Sequence, residues 1–237
     1  MRAIPTRPAG NGYRTACFGK WHLTPDRMQG AAGPFDSWPN AFGFDHFWGF
    51  LGAEAAQYDP LIAQDNANVG VPEGDGYYLP DDLTDRTVKW LHAVRAQDAQ
   101  TPWCVYYSTG CSHAPHQVPV EWSEKYRGKF DQGRDKLREE TFGRQKTLGV
   151  IPEDALLTPR PQAMPAWDSL SDSEKKLYAR QMEVYAGYSE NADHNVGRLL
   201  DAVQQMGELD NTRSRPRASP RGCRRPRGSS GRRRLRG

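Results

Sequence analysis

Short apolar runs, each followed by glycine and polar residues, are the clearest pattern in this chain of 237 residues. The run 103–108 is apolar and aromatic on both faces, which predicts a strand covered on both sides within a parallel sheet. The run 13–18 has the same form and predicts a second strand. Residues 41–50 are dense in aromatic residues and glycine, which predicts a buried strand or tight turn with His46 packed in the core. Residues 52–80 contain several prolines and glycines and are predicted to form a loop.

Helical spacing is found in two segments on either side of the run 103–108. Residues 83–97 have apolar side chains at a roughly helical spacing, and Thr84 is the predicted N-cap. A polar, charged helix is predicted between residues 134 and 148. A helix that leads directly into a strand is typical of a wound α/β sheet with flanking helices.

A long amphipathic helix is predicted near the end of the chain. Ser171 and Glu174 form a capping box at its start, and Gly207 is placed to end it. An inward-facing stripe is predicted at Leu177, Gln181, Val184, Tyr188, Ala192, Val196, Leu199, Val203 and Met206.

The charge of the chain is unevenly distributed. Eleven of the 32 basic residues are arginines in residues 213–237, which contain no acidic residue; the remainder has 29 acidic against 21 basic residues. An arginine-rich segment of this kind is predicted to be disordered and to bind phosphate backbones without sequence specificity. It lacks the interleaved aromatic residues of a base-stacking surface, so no specific nucleic-acid partner is expected.

Hydropathy and cysteine content limit the remaining classes. The mean hydropathy is −0.83, and no window has the apolar length of a membrane span or the apolar core of a signal peptide. No membrane partner is therefore expected, and the default location is cytoplasmic. The four cysteines are too few and too scattered to suggest a disulfide scaffold.

Candidate chemistry follows the two predicted strands. Lys20 and His22 come after the run 13–18, and in an extended segment both would point to one side while Trp21 points away. His113 lies in a proline-containing loop after the run 103–108. Ligands bind outside the carboxyl ends of strands in open α/β sheets, so these groups are candidates for an anion site.

A zinc site is an alternative for the second of these loops. Cys104, Cys111, His113 and His116 are suitable ligand types, but their spacing matches no common zinc motif. Cys104 also lies within the predicted strand, which places it away from the loop.

Four blocks in this order resemble the type I, formylglycine-dependent sulfatases, and most closely the large bacterial arylsulfatases. The first two blocks are residues 12–23, GYRTACFGKWHL, and residues 43–49, GFDHFWG. The third is SHAPHQVP at 112–119, and the fourth combines the long helix with LDNT at 209–212. The likeness covers about residues 11–212.

This resemblance implies an alkaline-phosphatase-like α/β fold and the hydrolysis of a small aryl or alkyl sulfate ester. Carried over to this sequence, Lys20 would bind the sulfate, His22 would take a proton as sulfate is released, and His113 would contact the sulfate and the leaving oxygen. A related phosphate or phosphonate ester hydrolase of the same fold remains an alternative.

The sequence also departs from the family pattern. The family makes its formylglycine nucleophile from the cysteine of a Cys-x-(Pro/Ala)-x-Arg motif and usually binds calcium beside it, yet neither that motif nor the metal ligands are found here. Cys223 begins the nearest match, with its proline one place too late. We therefore expect an internal fragment with an incomplete sheet and doubtful activity: 1–11 outside the family, 12–212 a partial catalytic domain, and 213–237 a disordered tail.

Overall fold

The fold is built on one mixed sheet of five strands. The computed structural model describes residues 10–71 and 76–214; the arginine-rich segment beyond residue 214, with its predicted disorder, lies outside them. The strand order is β4-β3-β2-β1-β5. Strand β1 is parallel to both β2 and β5, whereas β3 is antiparallel to both of its neighbours, β2 and β4. The strands are β1 (Arg14–Lys20), β2 (His46–Phe50), β3 (Ile62–Gln64), β4 (Ala67–Val69) and β5 (Trp103–Ser108).

Among the residues that the structure describes, four α-helices accompany this sheet. They are α1 (Leu79–Gln97), α2 (Val120–Glu124), α3 (Gly133–Thr147) and α4 (Asp172–Gln205), with short 3-10 turns at Asp26–Met28, Pro39–Phe42, Trp167–Ser169 and Leu209–Asn211. The predicted α/β class, a sheet with flanking helices, is confirmed. None of the helices in the described ranges has the length and apolar content needed to span a membrane.

The core lies on both faces of β1 because its side chains alternate. Ala16 and Phe18 pack on one face with Leu79 and Leu83 of α1. Cys17 packs on the opposite face with Trp38 and other aromatic side chains. This double coverage explains why residues 15–19 are all buried, as a continuous apolar run in a parallel sheet predicts.

The strand β5 is less covered than predicted. It pairs on one side with β1, and it forms the edge of the described sheet. Its side chains are only partly buried, and Tyr106 is 46% exposed. The expectation of burial on both faces is therefore wrong for this strand within the described residues, because nothing described pairs with its outer side.

Helix α1 begins earlier than the apolar spacing indicates. It starts at Leu79 with Pro80 in its first turn, where a missing N–H costs little. Thr84 does not cap the helix, since it lies within it and donates its hydroxyl to the Pro80 carbonyl at 3.0 Å. Helix α3, by contrast, is within one residue of its predicted bounds at each end.

The predicted loop 52–80 contains the β3–β4 hairpin. Each strand has only three residues, too few for a periodic pattern, and Asp65 supports the turn with a φ of 52°. The Asp65 carboxylate lies 3.2 Å from Nδ1 of His46, whose ring contacts Phe18 edge-on at 5.6 Å. His46 therefore lies at the margin of the core, with 25% of its side chain exposed, and the core-packing prediction is confirmed only in part.

Helix α4 begins as predicted, and its predicted stripe is confirmed only in part, since Tyr188 and Val203 are buried. The capping box is present, since Ser171 Oγ accepts from the Glu174 N–H and the Glu174 carboxylate accepts from the Ser171 N–H. Leu177 and Val196 of the predicted stripe are exposed. The buried positions include polar residues that find partners on neighbouring elements, which apolar spacing could not indicate; they are Ala179, Glu183, Gly187, Tyr188, Asn191, Asn195, Ala202 and Val203.

Candidate functional site

Lys20 is the last residue of β1, the strand between β2 and β5. It is paired with Phe50 at the end of β2, and the preceding Gly19 is paired with Ser108 at the end of β5. Gly19 has a φ of 100°, and a Cβ placed there would lie 1.9 Å from the Ser108 carbonyl oxygen. A glycine is thus required where the strands approach, and Lys20 emerges directly after this contact.

The chain continues from Lys20 along the end of β2. The Trp21 N–H donates to the Phe50 carbonyl at 3.0 Å, and its indole N–H donates to Ser37 O at 2.8 Å on the Cys17 side of the sheet. Trp21 therefore points away from the Lys20 side, as predicted. His22 is exposed and has a φ of 53°, so the chain is no longer extended there and alternation does not set the direction of its side chain.

His113 lies in the loop that follows β5, and its imidazole is held at one nitrogen. Nδ1 is 2.9 Å from the Ala114 carbonyl oxygen and 3.4 Å from Oε2 of Glu54. Both neighbours are acceptors, so we assign the proton of the neutral ring to Nδ1. Nε2 is then left for another partner, and about half of the side chain is exposed to solvent.

Several side chains of the His113 loop contact α4. The Ser112 hydroxyl lies 3.0 Å from the Tyr185 hydroxyl, and the His116 ring meets the Tyr185 ring edge-on at 5.2 Å. The Cys111 thiol points to the Tyr188 carbonyl at 3.6 Å. These contacts position the loop beside the carboxyl end of β5.

The three predicted residues lie at the end of the sheet where the parallel strands finish. Lys20 is the last residue of β1 and His22 follows it. His113 follows β5, which is parallel to β1 and next to it. Their convergence on one ligand stays a prediction. Sequence reasoning missed Glu54, which follows β2 and reaches His113 across the end of β1; one glutamate in a glycine-rich segment carries no sequence signal.

The zinc ligands considered above have different surroundings in the fold. Cys104 is paired with Thr15 inside the sheet, whereas His113 faces Glu54 and His116 faces Tyr185. Within residues 10–71 and 76–214, no three His, Cys, Asp or Glu side chains are grouped so as to hold a metal ion. The described residues thus give the zinc alternative no support. Calcium, which also binds amide and backbone carbonyl oxygens, stays what the resemblance implies.

The described cysteines are poorly placed to act as nucleophiles. Cys17 is completely buried, and burial raises the pKa of its thiol strongly. Burial also raises the pKa of Cys104 and of Cys111. None of the three lies in a Cys-x-(Pro/Ala)-x-Arg motif, and Cys223 is outside the described residues.

Comparison with known proteins identifies the family. The Sulfatase family model matches residues 2–213. This chain belongs to the sulfatase family. It is 32% identical over 222 residues to an uncharacterized sulfatase of Schizosaccharomyces pombe, covering 90% of this chain and 39% of that protein. The Arylsulfatase of Klebsiella aerogenes is 27% identical over 213 residues, with 85% and 43% covered.

Structural comparison agrees on the fold. This sulfatase chain resembles yidJ from Bacteroides fragilis, with a TM-score of 0.57, 18% identity, and 89% of this chain and 41% of the other covered. It also resembles Ps i-CgsB in complex with k-i-k-neocarrahexaose, with a TM-score of 0.52, 19% identity, and 86% and 36% covered. The alkaline-phosphatase-like class is thereby confirmed. The chain spans about two fifths of the length of the curated relatives it matches.

Proposed function

We propose that this sulfatase chain serves the hydrolysis of aryl or alkyl sulfate esters, with Lys20, His22 and His113 around the sulfate group. One observation carries the proposal. Lys20 ends the strand β1, and Glu54 and His113 meet from the loops after β2 and β5 on either side of it. A cation and imidazoles at such an edge suit a small tetrahedral anion.

Each residue has a chemical task in this proposal. The Lys20 ammonium group binds sulfate oxygens, on which negative charge accumulates as the ester bond breaks. His113 presents Nε2, because Nδ1 is engaged by Ala114 and Glu54, and its protonated ring donates a proton to the leaving oxygen. His22 accepts the proton that is given up when sulfate is released. These three side chains bind the anion and transfer protons, but the group that attacks sulfur is not among them. In the family that group is the formylglycine hydrate, which would supply the proton that His22 takes.

The substrate class rests on the relatives. The name of the Klebsiella aerogenes protein, Arylsulfatase, supports an aryl ester, at 27% identity. A protein of Bacteroides thetaiotaomicron, N-acetylglucosamine-6-O-sulfatase, also matches at 27% identity over 248 residues, which makes a sugar sulfate the second choice within the same reaction class.

Ligand binding tests the proposal directly. Isothermal calorimetry of residues 1–237 with 4-nitrophenyl sulfate should give saturable binding, weakened about tenfold or more by Lys20→Ala, because a charge-assisted hydrogen bond contributes about 1.5–3 kcal/mol. Lys89→Ala, which removes an exposed lysine of α1, is the matched control. Equal binding by wild type and Lys20→Ala would refute the site assignment.

A phosphate-ester arm separates the remaining alternative. The same titration with 4-nitrophenyl phosphate should give weaker binding than the sulfate if the site is built for sulfate esters. Tighter binding of the phosphate would favour the phosphate or phosphonate ester hydrolase of the same fold.

A further inference from the structure

Helix α4 extends far beyond the end of the sheet at which Lys20 and His113 lie. It runs antiparallel to β5, since Glu208 just after it accepts from the Trp103 indole at 3.2 Å, whereas Tyr188 lies beside Cys111 past the end of that strand. Tyr188 is sixteen positions beyond Asp172, which corresponds to about 24 Å of helix. This half of α4 forms a wall beside the candidate site.

A groove of about 670 Å³ runs along this wall. It lies between α3, the turn Trp167–Ser169 and the first half of α4, and its volume is within the range of small-molecule sites. Its walls are mainly aromatic and aliphatic, and they include Phe130, Leu137, Trp167, Leu177, Tyr178 and Tyr185.

The floor of the groove is firmly built. Trp167 packs directly on Gly133, where a Cβ would lie 2.2 Å from the indole, and Gly133 has a φ of 82°. The backbone N–H of Trp167 donates to the Asp135 carboxylate at 2.9 Å, and this hydrogen bond holds the pKa of Asp135 below its usual range. The aromatic surface is therefore preformed.

The groove continues towards the His113 loop. His116 lines it together with Tyr185, and Tyr185 contacts Ser112, the residue before His113. A molecule with its sulfate at the His113 loop would therefore have its organic part directed along this wall.

Two arginines give the groove its polar character. Arg180 is paired with Glu124 at 3.0 Å and Glu183 at 2.8 Å, so its charge is balanced. Arg134 has no carboxylate within ion-pair distance in the part of the chain that the structure describes, and its guanidinium lies 5.9 Å from the ring centroid of Tyr178. Its Nη2 donates to the Pro165 carbonyl, so one cationic group lies beside the aromatic surface without a described carboxylate partner but already held at one nitrogen.

We propose that this groove binds the aryl ring of an aryl sulfate ester, because its walls are mainly apolar and offer few partners for the hydroxyl groups of a sugar. The inference rests on the proposed function for the position of the sulfate. The ring packs on the aromatic wall, and Arg134 meets an oxygen-bearing substituent of the ring.

Binding of 4-methylumbelliferyl sulfate, glucosamine 6-sulfate and inorganic sulfate tests the groove. The aryl ester should bind about tenfold or more tightly than inorganic sulfate and more tightly than glucosamine 6-sulfate. The reverse order of the two esters would overturn the choice of an aryl ring. Tyr178→Ala should remove most of this advantage without changing the dissociation constant of inorganic sulfate. Leu177→Ala should do so in part; both side chains are 40% or more exposed, so neither change threatens folding. Leu156→Ala, which removes a 90% exposed leucine outside the groove, is the control.

Other results would overturn the inference. Equal affinities for the esters and inorganic sulfate, or no effect of Tyr178→Ala, would exclude a ring site here. Self-association that is lost in Tyr178→Ala, measured by light scattering, would instead make the groove an interface between copies. The unsulfated phenol 4-methylumbelliferone separates the two proposals. If it perturbs the indole signal of Trp167, the groove is supported even when no sulfate binds. An absence of sulfate binding would refute only the proposed function.

Discussion

The carboxylate of Glu54 and the imidazole of His113 meet across the end of β1, with Oε2 3.4 Å from Nδ1. The two residues lie 59 positions apart and follow different strands, β2 and β5. The relationship fixes which nitrogen of the ring faces the protein. It therefore determines which nitrogen is offered to a ligand.

Removing this carboxylate should alter the tautomer of His113. In Glu54→Ala, the ratio of Nδ1–H to Nε2–H neutral forms should fall by up to about fivefold. The carboxylate 3.4 Å from Nδ1, whose attraction at an exposed site is worth up to about 1 kcal/mol, is lost while Ala114 still accepts. Nitrogen-15 chemical shifts of the imidazole measure the ratio. Glu54→Gln should restore much of it, and Glu153→Ala, at an exposed site, should leave it unchanged. An unaltered ratio in Glu54→Ala would show that Glu54 does not position the ring.

A methyl group at Gly19 should be poorly tolerated. Gly19→Ala combines a φ of 100° with a backbone contact at 1.9 Å, so we expect a loss of about 3 kcal/mol or more in the free energy of unfolding. Gly12→Ala is the matched control, because Gly12 has a φ of 81° but nothing within 4 Å of the added Cβ. It should lose about 1–2 kcal/mol from the left-handed conformation alone. Urea denaturation measures both, and equal losses would contradict the close approach of β1 and β5.

Glu183 should make folding stability depend on pH in the acid range. Its side chain is buried, which raises the pKa, but hydrogen bonds from Arg180 at 2.8 Å and the Gly128 N–H at 2.7 Å outweigh burial and lower the pKa below the usual 4.5. The unfolded chain therefore takes up this proton first as pH falls. The stabilising contribution is complete above about pH 4.5 and is lost as pH drops through the lowered folded-state pKa.

The corresponding measurement compares wild type and Glu183→Gln in urea at pH 7 and at pH 3. The variant should be less stable by about 1–3 kcal/mol at pH 7, and the difference should shrink at pH 3. Glu139→Gln, at an exposed site on α3, is the control. A difference that grows as pH falls would mean that the pKa of Glu183 is raised rather than lowered.

Residues 1–237 alone should not turn over an aryl sulfate. The described cysteines have raised pKa values and lack the formylglycine motif, so no activated nucleophile is expected among them. The measurement is release of 4-nitrophenol from 4-nitrophenyl sulfate with calcium, after co-expression with a formylglycine-generating enzyme. The rate should not exceed that of His113→Ala; a clearly higher rate would show that the chain contains an activated nucleophile.

Local signals predicted the elements well, and long-range contacts limited the rest. The Ser171–Glu174 capping box and the strand that leads to Lys20 depend on neighbouring residues, so the sequence was sufficient for both. The buried stripe of α4 was predicted only in part. Tyr188 and Val203 follow the apolar spacing, whereas Asn195 is buried because its amide donates to Asp81 on α1 at 2.9 Å. The partner of His113 was missed for the same reason.

The continuity of α4 fixes the distance between the groove and the His113 loop. Tyr178 beside the groove and Tyr188 beside the His113 loop are ten residues apart on one uninterrupted helix, which corresponds to about 15 Å. That spacing is set by helical hydrogen bonds rather than by the conformation of a loop. A rigid helix would therefore set the distance between the two ends of a bound molecule. The site would discriminate between molecules by their length, separately from their charge.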